Sequence, residues 1–421
     1  MTPRTATVLG SAARLGCAQL LAWASAFYMP AILAAPMASS FGLATSDVFA
    51  MFSVALFVSG LMGPLAGRAI DRHGGRVVLM AANGAFATGL LMLAVAPAPW
   101  ALALGWLVLG VAMGGGLYEA AFATLVRIHG TASRAGITGI TLLGGFASTL
   151  GWSLSALMLS QVGWRSACVG WAVLHVVVGL PLHARLPRTV LRTGAGVAAV
   201  PPSPTAHAPV AIRASTAATE AASMAEPPLA SPPRHALLLL SLAFSLHWFV
   251  TTAMAAHLPG VLLASGVTLA AAVTVAAVVG PSQVAGRLLD LGLLQRLSPL
   301  RVAQVAMLAH PLGVALLLGL GAAAALPFAV LHGAGNGVLT IVKGTLPLQL
   351  WGAAGYGARQ GWLVMPGRLL QGLAPWLFGV ALADFGARAL WFSAALCVLS
   401  WIALSSLRLP PAARPGSSTA T

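Results

Sequence analysis

Runs of about twenty consecutive apolar residues recur along the whole chain, and they constrain its fold more than any other feature. A helix needs about 20 apolar residues to cross the roughly 30 Å hydrocarbon core of a bilayer. Hydrophobic residues make up 59% of the 421 and the mean hydropathy is +0.91, whereas a soluble domain is about half apolar and a quarter charged. The sequence lacks the alternating pattern of about ten residues that marks membrane β-strands. An all-α, multi-pass membrane protein is predicted.

Twelve such spans are predicted from hydropathy in a window of about 19 residues. Between the sixth and the seventh lies a segment rich in Pro, Ala, Ser and Thr, without apolar periodicity, which is typical of a flexible linker. The predicted organisation is an N-terminal six-helix bundle (1–185), a cytoplasmic linker (186–234), a C-terminal six-helix bundle (235–408) and a tail (409–421). The predicted spans are 13–36, 47–67, 76–96, 99–126, 136–160, 165–184, 235–257, 267–288, 300–320, 324–346, 358–382 and 387–407.

The net charge of +15 would suggest a nucleic-acid partner in a soluble protein. Here the arginines gather at alternate ends of the predicted spans, as expected for loops held on the cytoplasmic side. With both termini cytoplasmic, only Arg165 and Arg388 fall on the opposite face, and only an even number of spans gives this separation. The predicted partner of the arginine-rich surface is therefore the lipid bilayer, and no nucleic-acid partner is predicted. The arginine- and alanine-rich composition indicates a bacterial cytoplasmic membrane.

Two related stretches, GPLAGRAIDRHGGR (Gly63–Arg76) and GPSQVAGRLLD (Gly280–Asp290), end the second predicted helix of each half. The second stretch keeps the glycine, arginine and acid of the first as Gly286, Arg287 and Asp290. Helices 4 and 10 also match in position, with GGGLYEAAFATLVRIHG and GNGVLTIVKGTLPLQLWG. Such duplicated halves are typical of secondary transporters, which hold their substrate between the halves near the membrane midplane.

The first stretch resembles the signature loop G-x-x-x-D-R-x-G-R-R of the major facilitator superfamily, carried here by Gly67, Asp71, Arg72, Gly74 and Arg76. Gly75 stands where the family has a basic residue. The resemblance implies two pseudo-symmetric six-helix bundles and secondary transport by alternating access. The stretches LAWASAFYMPAILAAPMASSFGL and GLYEAAFATLVRIHG are similar to bacterial members of the monocarboxylate and oxalate/formate branch.

The resemblance also implies a role for the acid of the loop. In the family this acid pairs with an arginine and with the dipole of helix 11 in the outward-open state, so Asp71 is expected to form a conformational lock with Arg72 or Arg76 as its partner. Gly67 would allow close helix approach. The alternative is a plain basic anchor that fixes topology, which accounts for the arginines but not for the acid.

Ionisable groups within spans are costly and mark candidate functional sites. Glu119 lies deep in helix 4, Arg368 lies near the middle of helix 11, and Lys343, the single lysine, lies in helix 10. Arg368 is the predicted substrate ligand, because a guanidinium matches a carboxylate with two parallel donors. In the alternative interpretation, Glu119 forms a static structural bridge with Lys343 or Arg368.

Other polar and aromatic residues within spans are candidates for the cavity wall. His247 is the histidine best placed to carry a proton, although a neutral histidine bonded within the core would look the same in sequence. Gln19, Trp23 and Tyr28 share one face of helix 1, and Tyr118 neighbours Glu119. Aromatic residues at such spacing also occur in simple packing.

Three functions are compatible with a chain of this kind. The leading hypothesis is a monomeric secondary transporter that moves a small organic anion such as a monocarboxylate, coupled to protons. The alternative is an efflux antiporter for hydrophobic or cationic toxicants, which would need Glu119 in its cavity. A non-transporting receptor or scaffold would carry a folded domain in the linker or in the tails, and none is predicted. No nucleotide-binding loop, metal-ligand cluster or enzyme motif occurs, so neither a cofactor nor a catalytic activity is predicted.

Overall fold

The computed structural model describes residues 3–187 and 235–407, and the regular secondary structure of this part is helical. The N-terminal half contains α1 (Pro3–Trp23), α2 (Pro30–Ser40), α3 (Thr45–His73), α4 (Gly75–Val95), α5 (Pro99–Gly116), α6 (Tyr118–His129), α7 (Arg134–Gly144), α8 (Ala147–Leu174) and α9 (Leu180–Ala184). The C-terminal half contains α10 (Ala236–Ala264), α11 (Leu269–Gly292), α12 (Pro299–Leu320), α13 (Ala325–Trp351), α14 (Tyr356–Phe385) and α15 (Leu390–Ser405).

Eight helical stretches of the described chain are long and apolar enough to cross a membrane, or nine if the bent pair Thr7–Tyr28 and Ile32–Ser40 forms one span. Two stretches, Pro99–Gly144 and Pro299–Trp351, contain 46 and 53 residues, more than twice the about 20 that one crossing needs. Each includes a 3-10 turn, at Gly130–Ser133 and at Gly321–Ala324. The multi-pass all-α fold is confirmed, and the count of twelve spans stays a prediction.

The predicted linker and tail fall almost entirely outside the described residues. Of the linker, 186–234, the structure describes residues 186 and 187, and it describes none of the tail, 409–421. The boundaries between the four predicted segments therefore stay predictions.

A break between α5 and α6 determines the position of Glu119. The glycine run Gly114–Gly116 ends α5, Leu117 is extended (φ −86°, ψ −169°), and α6 begins at Tyr118. Glu119 thus occupies the first turn of a new helix, where a carboxylate interacts favourably with the helix dipole. The predicted helix 4 is therefore two helices, and their junction aims Glu119 toward the C-terminal half.

Each half has its own apolar core. In the N-terminal half the core includes Trp106 and Trp171, and in the C-terminal half it includes Phe328 and Phe378. A further cluster combines residues of both halves, among them Phe122 and Tyr356. Large apolar side chains also cover the outer surface, with Val95 and Leu238 each 73% exposed, as expected where lipid is the solvent.

The halves meet mainly through three helices of each half, and the hydrogen bonds to Asp71 that join them lie at the end that holds the α3–α4 turn. In the N-terminal half these are α3, α6 and α7, and their main partners are α11, α13 and α14. The connections at this end carry Arg72, Arg76, Arg127 and Arg134, and we call it the arginine-rich end. Neither α1 nor α5 makes a principal contact with the described helices of the other half. The molecule is thus closed at its arginine-rich end.

Candidate functional site

An ion pair joins the two halves at the centre of their interface. Arg368 on α14 donates from Nη2 to both carboxylate oxygens of Glu119 on α6, at 3.2 Å to Oε2 and 3.4 Å to Oε1. The guanidinium side chain is 3% exposed and the carboxylate side chain 19%. The two groups of this ion pair belong to opposite halves. A rearrangement of the halves must therefore stretch or break it.

Two tryptophans and a glutamine complete the surroundings of Arg368. The guanidinium carbon lies 4.7 Å from the ring centre of Trp248 and 5.5 Å from that of Trp23. Nη1 donates to Oε1 of Gln371 at 3.3 Å. Lys343 belongs to α13, and its Nζ lies 4.1 Å from the ring centre of Trp248. The site thus holds two basic groups, Arg368 and Lys343, and one carboxylate, that of Glu119. The aromatic rings stabilise the basic groups, because a cation over an aromatic face is attracted to it without a counter-ion.

The residues proposed for helix 1 form the wall of this site in the N-terminal half. Gln19 donates to the carbonyl oxygen of Gly116 at 2.7 Å and accepts a hydrogen bond from the indole of Trp23 at 3.2 Å. The Trp23 ring packs on Tyr118 with 4.9 Å between centroids, and it lies 6.5 Å from Tyr28. The anchor at Gly116 joins helix 1 to the α5–α6 junction, so it fixes Trp23 beside Glu119.

The hydrogen bonds of His247 lie within the C-terminal half, whereas the ring of its neighbour Trp248 faces Arg368 and Lys343. Nε2 of His247 lies 3.3 Å from Oδ1 of Asn336 and 3.3 Å from Oγ1 of Thr251, within the C-terminal half. Adjacent residues on a helix point about 100° apart, so the two rings face different neighbours. The structure places the tryptophan beside Arg368, together with Gln371. Neither was singled out from the sequence.

Asp71 caps the beginning of α14 across the interface. Its Oδ1 accepts a hydrogen bond from the backbone N–H of Gly357 at 3.1 Å, and its Oδ2 accepts one from Ala358 at 2.7 Å. A carboxylate at this position interacts with the free N–H groups and with the positive end of the helix dipole. The sequence-based pairing of Asp71 with Arg72 or Arg76 is not found among the described residues; the backbone of α14 is the partner.

The structure explains why two positions of the signature loop are glycine. A Cβ on Gly67 would overlap the carbonyl oxygen of Gly357, so the helices α3 and α14 can approach this closely only at glycine. Gly74 ends α3 with a φ of +86°, a conformation that strongly favours glycine. The loop thus both closes the arginine-rich end and turns the chain into α4.

The second copy of the motif contacts the N-terminal half differently. Gly286 packs on the backbone of Ala334 within its own half, and Asp290 accepts a hydrogen bond from the hydroxyl of Thr138 on α7 at 3.4 Å. Arg287 is buried against Gly145, which follows α7. The two copies therefore share sequence and position in the repeat but bind unlike partners.

The sequence profile of the Major Facilitator Superfamily matches residues 15–344. Among curated protein sequences, none matches the chain significantly.

Several solved structures share the fold. The human organic anion transporter MFSD10 (TETRAN) has a TM-score of 0.66 at 17% identity, covering 96% of this chain and 100% of that one. The E. coli fucose:proton symporter FucP, in the outward conformation, has a TM-score of 0.71 at 14% identity, covering 95% and 99%. The proton:xylose symporter XylE has a TM-score of 0.68 at 14% identity, covering 95% of both chains.

The profile match covers well over half of the sequence and includes the loop that contains Asp71, and the helical architecture agrees with that of the similar structures. The chain belongs to the major facilitator superfamily.

Proposed function

We propose that this protein is a secondary active transporter that moves a small organic anion together with a proton. The observation that carries the proposal is the Arg368–Glu119 ion pair, which joins the two halves inside a site that contains more basic groups than acids. Net positive charge in a partly dry cavity favours an anionic ligand, because electrostatic attraction strengthens as the local dielectric constant falls.

A substrate carboxylate would compete with Glu119 for the guanidinium of Arg368. The guanidinium presents several donors in one plane, and a carboxylate can accept two of them in parallel. In this structure Glu119 uses only Nη2, at 3.2 and 3.4 Å, while Nη1 bonds to Gln371. A carboxylate that approaches from the cavity can thus gain a better geometry than Glu119 has.

Displacement of Glu119 couples the substrate to a proton. A carboxylate that loses its buried counter-ion is destabilised as an anion, so it takes up a proton. The substrate and the proton then bind together, and the loaded site carries no extra charge from Glu119. When the substrate leaves, Arg368 is again available, and Glu119 releases its proton to re-form the pair.

Alternating access follows from the interface of the halves. We assign the arginine-rich end to the cytoplasmic side, since cytoplasmic loops carry the excess of arginine. Both termini then lie on that side. We further propose that the protein is a monomer in a bacterial inner membrane. Asp71 on the N-terminus of α14 stabilises the state closed to the cytoplasm. Opening at the arginine-rich end separates α3 from α14 and exposes the site to the cytoplasm.

Counterflow and uptake in proteoliposomes test the proposal. Radiolabelled lactate is the anionic probe and tetraphenylphosphonium the cationic one, each measured with and without an imposed pH gradient, acid outside. We expect uptake of lactate to be driven by the gradient. Glu119→Gln should abolish gradient-driven net uptake but retain exchange of internal for external lactate, because exchange does not require release of the proton.

Arg368 variants separate the substrate role from a static bridge. Arg368→Lys keeps the charge but loses the fork, so the affinity for lactate should fall while expression stays normal. Arg368→Ala should abolish detectable uptake, since losing one partner of a buried charge pair costs about 2–5 kcal/mol.

Two outcomes would contradict the proposal. Transport of tetraphenylphosphonium but not of organic anions would favour the efflux antiporter. Loss of expression in Glu119→Gln that is restored by a second change at Arg368 would make the pair a structural bridge.

A further inference from the structure

A proline in α13 leaves one carbonyl oxygen of that helix without its usual donor. Pro347 lies inside α13, and a proline has no N–H to donate to the carbonyl oxygen four residues earlier, which belongs to Lys343. The side chain of Gln360 on α14 supplies a donor in its place, since its Nε2 donates to the Lys343 carbonyl oxygen at 3.0 Å. The proline thus accounts for one half of a buried amide beside the charged cluster.

This hydrogen bond fixes the orientation of the Gln360 amide. If the amide were flipped, its oxygen would face the Lys343 carbonyl oxygen, and two acceptors cannot bond to each other. The oxygen Oε1 therefore points away from that carbonyl. Gln360 is 1% exposed, and among the described residues Oε1 finds no donor. A buried acceptor without a donor costs free energy, so this oxygen calls for a donor that the present state lacks.

The groups around Gln360 are also the groups around Glu119. The carboxylate of Glu119 interacts electrostatically with Tyr356, which lies one turn before Gln360 on α14. It also interacts with Lys343, whose carbonyl oxygen Gln360 binds. Glu119 shares a cavity with Gly361, the residue that follows Gln360. The amide and the carboxylate therefore occupy one small region between α6, α13 and α14.

Arg368 and Gln360 lie two turns apart on α14 but serve the same region. Long side chains in a helix lean toward its N-terminus, so the Arg368 guanidinium extends back along α14 toward Gln360. Glu119, Gly361 and Arg368 line one cavity together. Rotation about the side-chain bonds of Glu119 is therefore the motion that exchanges the guanidinium for the amide.

The protonation state of Glu119 decides which of these two partners it can bind. A carboxylate and an amide oxygen are both acceptors, so the ionised Glu119 pairs with Arg368 and Oε1 of Gln360 stays without a donor. A protonated carboxyl group carries an O–H donor. Protonation thus creates the donor that Oε1 lacks.

The remaining charged groups around Glu119 cannot take this part. Lysine and arginine side chains only donate hydrogen bonds, and the residues that α3 and α5 contribute to the cavity are glycine, alanine, serine and methionine, which do not titrate. The charged and titratable groups that face Glu119 are Lys343 on α13, Tyr356 and Arg368 on α14, and Tyr118 on α6.

We infer that Gln360 holds the protonated form of Glu119: when the substrate takes Arg368, the Glu119 carboxyl group donates its O–H to Oε1 of Gln360. The inference rests on the proposed function and names the second partner of the residue that carries the proton. The proton comes from the compartment that the open site faces, adds to one carboxylate oxygen, and leaves that oxygen when Arg368 is free again. Gln360 is a positioning residue, because it acts through Glu119.

The pH profile of lactate uptake by the full-length protein in proteoliposomes tests this inference. Gln360→Met keeps a side chain of similar length but removes the acceptor. The protonated form of Glu119 then loses a hydrogen bond, so more acid is needed to load the site. We expect the external pH at half-maximal uptake to fall by about 0.5–1 unit, a roughly 3–10-fold higher proton concentration, as the loss of one hydrogen bond would give.

Exchange of lactate at acidic pH on both sides separates this role from a structural one. There Glu119 is protonated without help, so Gln360→Met should exchange at the parent rate, whereas a distorted helix would lower the rate at every pH. Pro347→Ala returns an N–H to the Lys343 carbonyl oxygen, and in this background Gln360→Met should still shift the midpoint. If the background abolishes the shift, or if Gln360→Met cannot be purified in either background, Gln360 is a structural brace and the inference is overturned.

Two hydroxyl oxygens near Glu119 are the competing acceptors. Ser59 on α3 lines the cavity with Glu119, and the Tyr356 hydroxyl donates to the carbonyl oxygen of Gly344 at 2.7 Å. Ser59→Ala and Tyr356→Phe remove these oxygens and should leave the midpoint unchanged. A shift in either variant, with none in Gln360→Met, would give the role to that hydroxyl and refute the inference.

The parent protein separates the inference from the proposed function. If a pH gradient drives lactate uptake and Gln360→Met has the parent midpoint, the transport proposal stands and the role of Gln360 is refuted. If the parent protein takes up lactate at no pH, the proposed function fails, and the inference fails with it.

Discussion

Replacing Asp71 by asparagine should shift the protein out of the state closed at the arginine-rich end. The carboxylate accepts two hydrogen bonds from the first turn of α14, at 3.1 and 2.7 Å. Asparagine retains a single acceptor oxygen and has no charge, so one hydrogen bond and the interaction with the helix dipole are lost. Hydrogen bonds to charged groups contribute about 1.5–3 kcal/mol and dipole interactions about 0.3–1 kcal/mol.

Because Asp71 is partly exposed and asparagine retains one of the two bonds, we expect a net change of about 1–2 kcal/mol. That corresponds to a roughly 5–30-fold change in the equilibrium between the closed and open states. Transport should become slower, while insertion into the membrane stays intact, because Arg72 and Arg76 still anchor the loop.

A single cysteine at Ala66 reports the change. Ala66 is buried and lines the gap between α3, α6 and α14, and the native Cys17, Cys168 and Cys397 are replaced first. When opening is fast relative to the reaction, the rate of labelling by a small maleimide follows the population of the open state. We expect Asp71→Asn to raise this rate about 5–30-fold.

Asp47 supplies the matched control. It lies at the opposite end of α3 and accepts a hydrogen bond at 2.9 Å from the backbone of Ala44, within its own half. Asp47→Asn neutralises a carboxylate at a helix N-terminus that does not bridge the halves, so it should leave the labelling rate unchanged. Equal labelling rates in Asp71→Asn and in the parent protein would refute the lock and leave the loop as a basic topology anchor.

Two further substitutions test the interface and the site. Gly67→Ala should lower the transport rate, because the added Cβ would overlap the Gly357 carbonyl and hinder closure. Gly84→Ala is the control: its Cβ would meet no atom within 4 Å, so it should transport at the parent rate. Equal rates in both variants would show that transport does not require the close approach of α3 and α14. Lys343→Met should weaken anion binding several-fold in calorimetric titration without abolishing it, because the ammonium stands over Trp248 at 4.1 Å; an unchanged Kd would remove Lys343 from the site.

The sequence was most informative where a residue type is costly in its environment. Apolar runs of about twenty residues require lipid, and charged residues within those runs had to be functional or paired. Both arguments concern single residues or local stretches, so no tertiary contact was needed to single out Glu119, Arg368 and Lys343. The spacing of the signature loop likewise sufficed to identify the family.

Partner choice depended on the packing of helices far apart in the chain. Glu119 and Lys343 were one possible pair, but the α5–α6 break turns Glu119 toward α14, where Arg368 lies. The resemblance implies that Asp71 interacts with an arginine and with the dipole of helix 11. The close contact at Gly67 brings its carboxylate to the backbone N–H groups of Gly357 and Ala358 at the beginning of that helix.

By itself, the sequence determined that this chain spans a membrane, repeats its halves and carries the loop of the major facilitator superfamily, because apolar length, charge distribution and motif spacing are local properties. Only the tertiary structure decided that the Trp248 ring packs on the Arg368 guanidinium, and that Arg287 is buried whereas its equivalent Arg68 is exposed. The physical reason is that the rotation of each helix about its axis is set by its neighbours. A side chain's surroundings, and hence the balance of charge around it, are therefore fixed only when the two halves pack together.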